Sequence, residues 1–244
     1  MIIALLYLAG VTAAELVTAK VNPVGGIAFH TVLLFSLILH SSFAKHPSHK
    51  LYLALALAPL IRIVSLSMPL SRFTPTYWYL IIGVPLFAAT FTCIRILNYH
   101  PREVGLSLGN IRLQGLVSLT GIGFGIAEYY ILRPEPLIPA LTLGRVILPA
   151  LIFLLATGFV EELAFRGVMQ RSAGEALGPW GWAYVALLFS VLHIGYLSAA
   201  DYFFVLAVGL FFGWVVQKTG SLFGVTLSHG ITNIMLYVVL PLVA

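Results

Sequence analysis

The sequence predicts an all-α, polytopic membrane protein in which eight or nine transmembrane helices surround a polar cavity. Its 244 residues are 60% hydrophobic and only 9% charged, whereas soluble domains carry about 25% charged residues. The apolar residues form runs of about 20, the length that a helix needs to cross a bilayer. No stretch between these runs is long enough for a separate soluble domain. We therefore expect an integral, multi-pass protein of the plasma-membrane or inner-membrane type, with the lipid bilayer as its main partner.

Nine apolar runs are candidate spans, and prolines or charged turns separate most of them. They are residues 1–19, 24–43, 51–70, 77–97, 113–132, 145–169, 180–197, 202–217 and 222–243. The shortest run, 202–217, leaves the count at eight or nine. We divide the chain into N-terminal membrane helices without an assigned role (1–100), an interfacial segment (101–112) and a membrane domain that carries most of the unusual polar residues (113–244).

Basic residues in the loops predict the orientation of the helices. With nine spans and a cytoplasmic N-terminus, the cytoplasmic loops hold seven basic residues and the opposite loops hold four. These are Lys45, Lys50, Arg95, Arg102, Arg112, Arg171 and Lys218 on the first side, and Lys20, Arg72, Arg133 and Arg145 on the second. Cytoplasmic loops are enriched in Lys and Arg, so this pattern accounts for the net charge of +5 without a nucleic-acid partner. The single cysteine excludes an internal disulfide.

Residues 158–167, Gly-Phe-Val-Glu-Glu-Leu-Ala-Phe-Arg-Gly, carry the clearest polar anomaly. Ionisable residues inside a span are costly, face a polar interior and usually serve a function. Glu162 and Arg166 are four residues apart on one helical face, so they can form an ion pair. Glu161 is rotated from Glu162 by about 100° and has no partner on its own helix. We therefore expect the ion pair to support the site. We expect Glu161 to interact with a polar group outside its own helix.

Two histidines and an asparagine interrupt two further apolar runs. His193 ends the stretch Phe-Ser-Val-Leu-His, and His229 and Asn233 share one face of the last span because they are four residues apart. A single histidine on an apolar helix is more often a satisfied core residue. Polar groups on three separate apolar helices cannot favourably face lipid, so we expect these residues and Glu161 to converge on one interior cavity.

This set of side chains is suited to hydrolysis of a carbonyl compound. A carboxylate can take a proton from water while a histidine holds that water. A second histidine and an amide can donate hydrogen bonds to the oxyanion that forms. Two histidines and a carboxylate are also a known zinc-ligand set, and the spacing here neither supports nor excludes a metal.

Arg62 is the one deeply placed basic residue of the first half of the chain. It stands well inside the predicted span 51–70, so it needs a carboxylate or carbonyl partner. We consider Glu128 one candidate for that partner, and a structural pair is the simpler reading of it.

Three elements resemble, in order, the motifs of the CAAX prenyl protease and bacteriocin-processing (Abi) family of intramembrane proteases. They are Glu161-Glu162-x-x-x-Arg166, Phe189-x-x-x-His193 and His229-x-x-x-Asn233. The resemblance covers roughly residues 102–240 and implies an eight-span-type helical fold. It also implies an endopeptidase whose peptide or protein substrate enters from the membrane or the cytoplasmic side.

The resemblance further implies a role for each motif residue. Glu161 and His193 would activate water, and His229 and Asn233 would form the oxyanion hole. Glu162 and Arg166, named above as an ion pair, would orient the site. A glutamate mechanism of this kind needs no cofactor, and zinc remains the alternative.

Two other classes of protein remain open from the residues alone. Buried Glu, His and Arg are also the parts of a proton relay, so a proton-coupled transporter is one alternative. A transporter would predict an inverted repeat with polar interruptions in both halves, and the first half has few. The other alternative is a non-catalytic scaffold that binds a partner within the membrane.

Overall fold

The prediction of an all-α membrane protein is confirmed. The structure is a computed structural model that describes residues 1–244, and it contains helices and turns but no β-strand. Eight helical segments are long and apolar enough to cross a membrane. The chain is therefore a multi-pass membrane protein.

Five helices precede the motif-bearing part of the chain. They are α1 (Ile2–Lys20), α2 (Pro23–Phe43), α3 (Ser48–Ser67), α4 (Pro75–Ile96) and α5 (Ile111–Leu132). Sequence signals at the starts of two helices explain their bounds. The side chain of Asn22 caps α2, with Pro23 in the first turn, and the side chain of Asn110 accepts hydrogen bonds from the first backbone N–H groups of α5.

The spans expected at 145–169 and 180–197 lie within one 54-residue segment, Leu143–Tyr196. This segment contains two arms, α6 (residues 143–177) and α7 (Gly181–Val191). Gly178 separates them because its φ of 72° is readily adopted only by glycine, and Pro179 follows it. Two more helices, α8 (Ala199–Thr219) and α9 (Phe223–Leu242), complete the bundle.

Helix α6 is not the regular α-helix that the sequence suggested. Two π-helical stretches, Phe153–Phe159 and Leu163–Met169, flank the single α-helical turn Val160–Glu162. The end of α9 is π-helical as well, over Met235–Val239. π-Helical turns are rare in proteins, and those that do occur are often found at functional sites. Here the two acidic residues stand between them.

Glycines allow α9 to pack directly on its neighbours. A Cβ atom on Gly121 of α5 would lie 2.2 Å from the carbonyl oxygen of Ser228, and one on Gly158 of α6 would lie 2.7 Å from that of Thr226. Small residues at such crossings let transmembrane helices approach closely. This packing brings the face of α9 that carries His229 against α6.

Ion pairs between helix ends and the segment around Glu103 gather several of the predicted cytoplasmic residues at one end of the bundle. The Nζ atom of Lys50 lies 3.4 Å from Glu175, and Arg171 pairs with both Glu175 and Glu103 at 3.0–3.1 Å. The backbone N–H of His100 donates to Glu103, which lowers the pKa of that carboxyl and keeps it ionised for its pair. The structure thus groups these residues at one end of the bundle, and the assignment of that end to the cytoplasm stays a prediction.

The partner of Arg62 is Glu15, so the suggestion of Glu128 was wrong. The Nε atom of Arg62 lies 2.5 Å from Oε1 of Glu15, and Nε2 of His30 lies 3.1 Å from the same oxygen. Helices α1, α2 and α3 bring these three residues together. Glu128 instead faces a cavity at the centre of the bundle. Spacing along the chain could not show which helices pack together.

We expect Gly121→Ala to destabilise the protein. The added methyl group would meet backbone of α9 that cannot move aside, and such overpacking costs about 1–3 kcal/mol. Gly123→Ala, two residues along the same helix, is the matched control, because nothing lies within 4 Å of its added Cβ. Thermal unfolding in detergent should separate the two variants. Equal melting temperatures would contradict this account of the crossing.

The orientation is tested by labelling single cysteines in a Cys93→Ser background. Ser48→Cys should react with a membrane-impermeant maleimide only when the cytoplasmic face is accessible. Ser71→Cys, a serine at the opposite end, should react only from outside. Labelling of Ser48→Cys from outside alone would reverse the orientation.

Candidate active site

A cavity of about 100 Å³ at the centre of the bundle is lined by Glu161, His193, His229 and Asn233. The sequence placed these side chains on three separate helices and predicted that they would converge, and the structure brings all four together. We call this cavity the first chamber. Its wall also contains Phe189 of the second motif, Glu128 and a set of residues that sequence reasoning did not select, namely Tyr79, Thr157, Tyr196, Phe204, Val205, Val208, Phe212, Thr232 and Tyr237.

The ion pair expected between Glu162 and Arg166 is present beneath this chamber. The Nη1 atom of Arg166 donates to Oε1 of Glu162 at 3.0 Å, and both side chains are buried. The guanidinium also lies over the ring of Phe189, 4.3 Å from its centroid, in a cation–π arrangement. The pair is therefore sealed from solvent and held by an aromatic side chain of α7.

His229 is oriented by Glu162, a contact that the sequence did not reveal. Its Nδ1 atom lies 2.8 Å from Oε1 of Glu162, the same oxygen that Arg166 contacts. A carboxylate only accepts, so Nδ1 carries the hydrogen. The other ring nitrogen, Nε2, then points towards Glu161, with 3.9 Å between it and Oε2.

The ring of His193, which lies two residues beyond the end of α7, is held by the last turn of that helix. Its Nδ1 atom lies 2.9 Å from the carbonyl oxygen of Phe189. Because a carbonyl can only accept, Nδ1 is the donor and Nε2 keeps its lone pair in the neutral imidazole. His193 can therefore accept a proton or a hydrogen bond through Nε2.

The amide of Asn233 is oriented by Thr157. The Thr157 hydroxyl donates to the carbonyl oxygen of Phe153 at 2.6 Å, so it accepts the hydrogen bond from Nδ2 of Asn233 at 2.9 Å. This order fixes which end of the amide faces Thr157. The second hydrogen on Nδ2 remains available as a donor. A threonine four residues before Glu161 was the only sequence signal for this contact.

Glu161 lies on the wall of the first chamber, as expected, with 29% of its side chain exposed. Glu161 and His193 line the same cavity, and no hydrogen bond joins them. The nearest charged partner of Glu161 is His229, whose Nε2 lies 3.9 Å from Oε2. Glu161 thus has no hydrogen-bond partner, whereas Oε1 of Glu162 is shared by Arg166 and His229.

The arrangement does not favour a bound metal ion. No three His, Cys, Asp or Glu side chains meet closely enough to hold one. Glu162 is already paired with Arg166 and with His229. We therefore derive no step through a metal, and zinc stays the alternative to the glutamate mechanism.

The fold and the site define a polytopic membrane protein with a buried carboxylate, histidine and amide cluster. Comparison with known proteins refines that class. Residues 143–235 match the family model described as type II CAAX prenyl endopeptidase, Rce1-like. This is the family whose motifs the three elements resemble, and the match is limited to that segment of the chain. All seven residues named in the three motifs lie inside it.

A similar protein is the uncharacterized protein YpbD of Bacillus subtilis (strain 168), which is 37% identical over 88 residues. The alignment covers 35% of this chain and 43% of that protein, so the chain spans less than half the length of this relative. No solved structure matches the chain at a significant level. The catalytic roles of the six motif residues stay predictions.

Arg166→Ala should lower stability strongly. It would leave Glu162 buried without its cation, and removing one partner of a buried pair costs about 3–5 kcal/mol. Arg171→Ala is the control, because Arg171 also pairs with acidic residues but is 42% exposed, and exposed pairs contribute about 0–1 kcal/mol. Folding yield and melting temperature in detergent give the comparison. A stable Arg166→Ala protein would contradict the role of the pair.

Proposed function

We propose that the chain is an intramembrane endopeptidase that hydrolyses a peptide bond with water activated by Glu161 and His193. The observation that carries this proposal is the convergence of Glu161, His193, His229 and Asn233, from three apolar stretches, on one cavity. The Rce1-like match over the same residues supports it. The transporter alternative has no comparable support.

In the first step, Glu161 accepts a proton from a water molecule. Nε2 of His193 accepts the second hydrogen of that water as a hydrogen bond and aligns the oxygen. The oxygen then attacks the carbonyl carbon of the peptide bond, and the π electrons of the carbonyl move to its oxygen. General-base assistance of this kind contributes about 10²–10⁴-fold.

His229 and Asn233 stabilise the resulting oxyanion. The free hydrogen on Nδ2 of Asn233 is one donor. Nε2 of His229 is the second donor, provided that both ring nitrogens carry hydrogens, since Nδ1 already donates to Glu162. In that form two carboxylates and two cations balance within the buried cluster. When the oxyanion collapses, the C–N bond breaks and the leaving amine takes the proton from Glu161.

The substrate in this proposal is a peptide or protein segment that reaches the cavity from the bilayer or from the cytoplasmic face. The description of the matching family names CAAX prenyl endopeptidases. A peptide that ends in Cys-aliphatic-aliphatic-X, with and without a prenyl group, is therefore the first substrate to test. The protein would work in a plasma-type or inner-type membrane.

Cleavage of such a peptide by the purified protein is the decisive measurement. Glu161→Gln keeps the shape of the side chain but removes proton acceptance, so the rate should fall by about 10²–10⁴-fold. Asn233→Ala removes one oxyanion donor and should cost about 10²–10³-fold, with binding largely kept. Glu135→Gln, an exposed acidic residue in the loop before α6, should leave cleavage unchanged. Unimpaired cleavage by Glu161→Gln would refute the mechanism.

The same assay after exhaustive chelation separates the glutamate mechanism from zinc catalysis. We expect full activity in chelator and no stoichiometric metal by elemental analysis. Loss of activity on chelation, restored by zinc and accompanied by one bound zinc per chain, would show that Glu161 serves a metal instead.

A further inference from the structure

A second cavity adjoins the first chamber and reaches into the N-terminal helices. It has a volume of about 220 Å³, and we call it the second chamber. Glu161 and His193 line both chambers, so they stand at the boundary between them. The remaining wall of the second chamber is mostly apolar, with Ile82, Leu86 and Leu192 among its residues, and Arg62 is its one basic residue.

The guanidinium of Arg62 has unused donors beside this chamber. Its Nε atom donates to Glu15, and Nη1 makes only a long contact of 3.4 Å with Ser65. Nη2 donates to no protein group, and the side chain is 17% exposed. The Nη1–Nη2 edge is the edge that binds a carboxylate through two parallel hydrogen bonds.

Two fully buried residues hold Arg62 in this position. Glu15 accepts from Nε, and His30 lies 3.1 Å from the same carboxylate oxygen. A simple neutralising pair would engage the guanidinium through Nε and an Nη atom together. Here Glu15 uses only Nε, and its other oxygen has no partner. The cluster therefore fixes the arginine and leaves its outer edge free.

We propose that Arg62 binds a carboxylate of the substrate in the second chamber and is a specificity-determining residue. This inference rests on the proposed peptidase function. A substrate whose peptide bond is held at Glu161 and His193 would extend in one direction into the second chamber, which is mostly apolar and contains the cation of Arg62. A short segment with aliphatic side chains and a free C-terminal carboxylate fits both features. Arg62 would then favour cleavage close to a chain terminus.

The test measures binding separately from cleavage. Glu161→Gln protein, in detergent, is titrated with fluorescent versions of one peptide and followed by anisotropy. The first version has a free C-terminal carboxylate, the second has a C-terminal amide, and the third has the amide and an acidic side chain at the last position. A charged hydrogen bond of this kind should favour the free acid over the amide by about 10–100-fold. The third peptide shows whether a side-chain carboxylate can replace the terminal one.

Two variants in the same background assign the preference to Arg62. Arg62→Met would leave Glu15 buried without its cation, so the double variant Glu15→Gln/Arg62→Met removes both charges together and keeps the fold testable. It should bind acid and amide equally. Arg72→Met, an exposed arginine in the loop after α3, should keep the parent preference.

Each result decides the inference. The inference would be overturned by any one of three results. The Glu161→Gln parent could bind acid and amide equally, the double variant could retain the preference, or no peptide could bind at all. Cleavage of the peptides by the protein with Glu161 intact is scored separately. Cleavage without carboxylate preference would refute the role of Arg62 and leave the peptidase function standing. A preference dependent on Arg62 without any cleavage would refute the peptidase function while confirming the carboxylate site.

Discussion

The structure of the site depends on the burial of one charge. The carboxylate of Glu162 has no access to solvent and lies within a span, where an uncompensated ion would cost several kcal/mol. Arg166 compensates it from the same helix, and His229 contacts the same oxygen from α9. The interaction that makes Glu162 tolerable in the bilayer therefore also joins two helices and sets the ring of His229. Glu161, which is not needed for this balance, stays partly exposed to the cavity.

Backbone irregularity serves the same arrangement. The π-helical turn before Glu161 contains Thr157, whose hydroxyl reaches Asn233 on α9, and Gly158, which lets the two backbones meet. A side chain with a Cβ at position 158 would separate α6 from α9 and break the contact between Thr157 and Asn233. The positions of the polar groups thus follow from the close crossing, and the crossing follows from the small residue beside them.

Local spacing could predict part of this site and not the rest. The ion pair between Glu162 and Arg166 follows from two residues four apart on one helix, and the convergence of the polar groups follows from their cost in lipid. The contact between Glu162 and His229 depends on which helices pack together. The spacing of residues along the sequence does not contain that information. The same limit led to the wrong partner for Arg62. The sequence did not predict the π-helical turns, because a polar or apolar pattern does not show how many residues each turn contains.

The N-terminal helices, to which the sequence assigned no role, form part of the cavity walls. The family match begins at residue 143, yet Tyr79 of α4 lines both chambers and Arg62 of α3 lines the second. The four motif residues on the wall of the first chamber and part of the wall around them therefore come from different parts of the chain. A buried cluster such as Glu15, His30 and Arg62 costs free energy in apolar helices. Because Arg62 and Glu161 line the same cavity, a role of Arg62 in the proposed site would account for the cluster. In the proposed peptidase, the helices that precede the three motifs would therefore contribute to the choice of substrate.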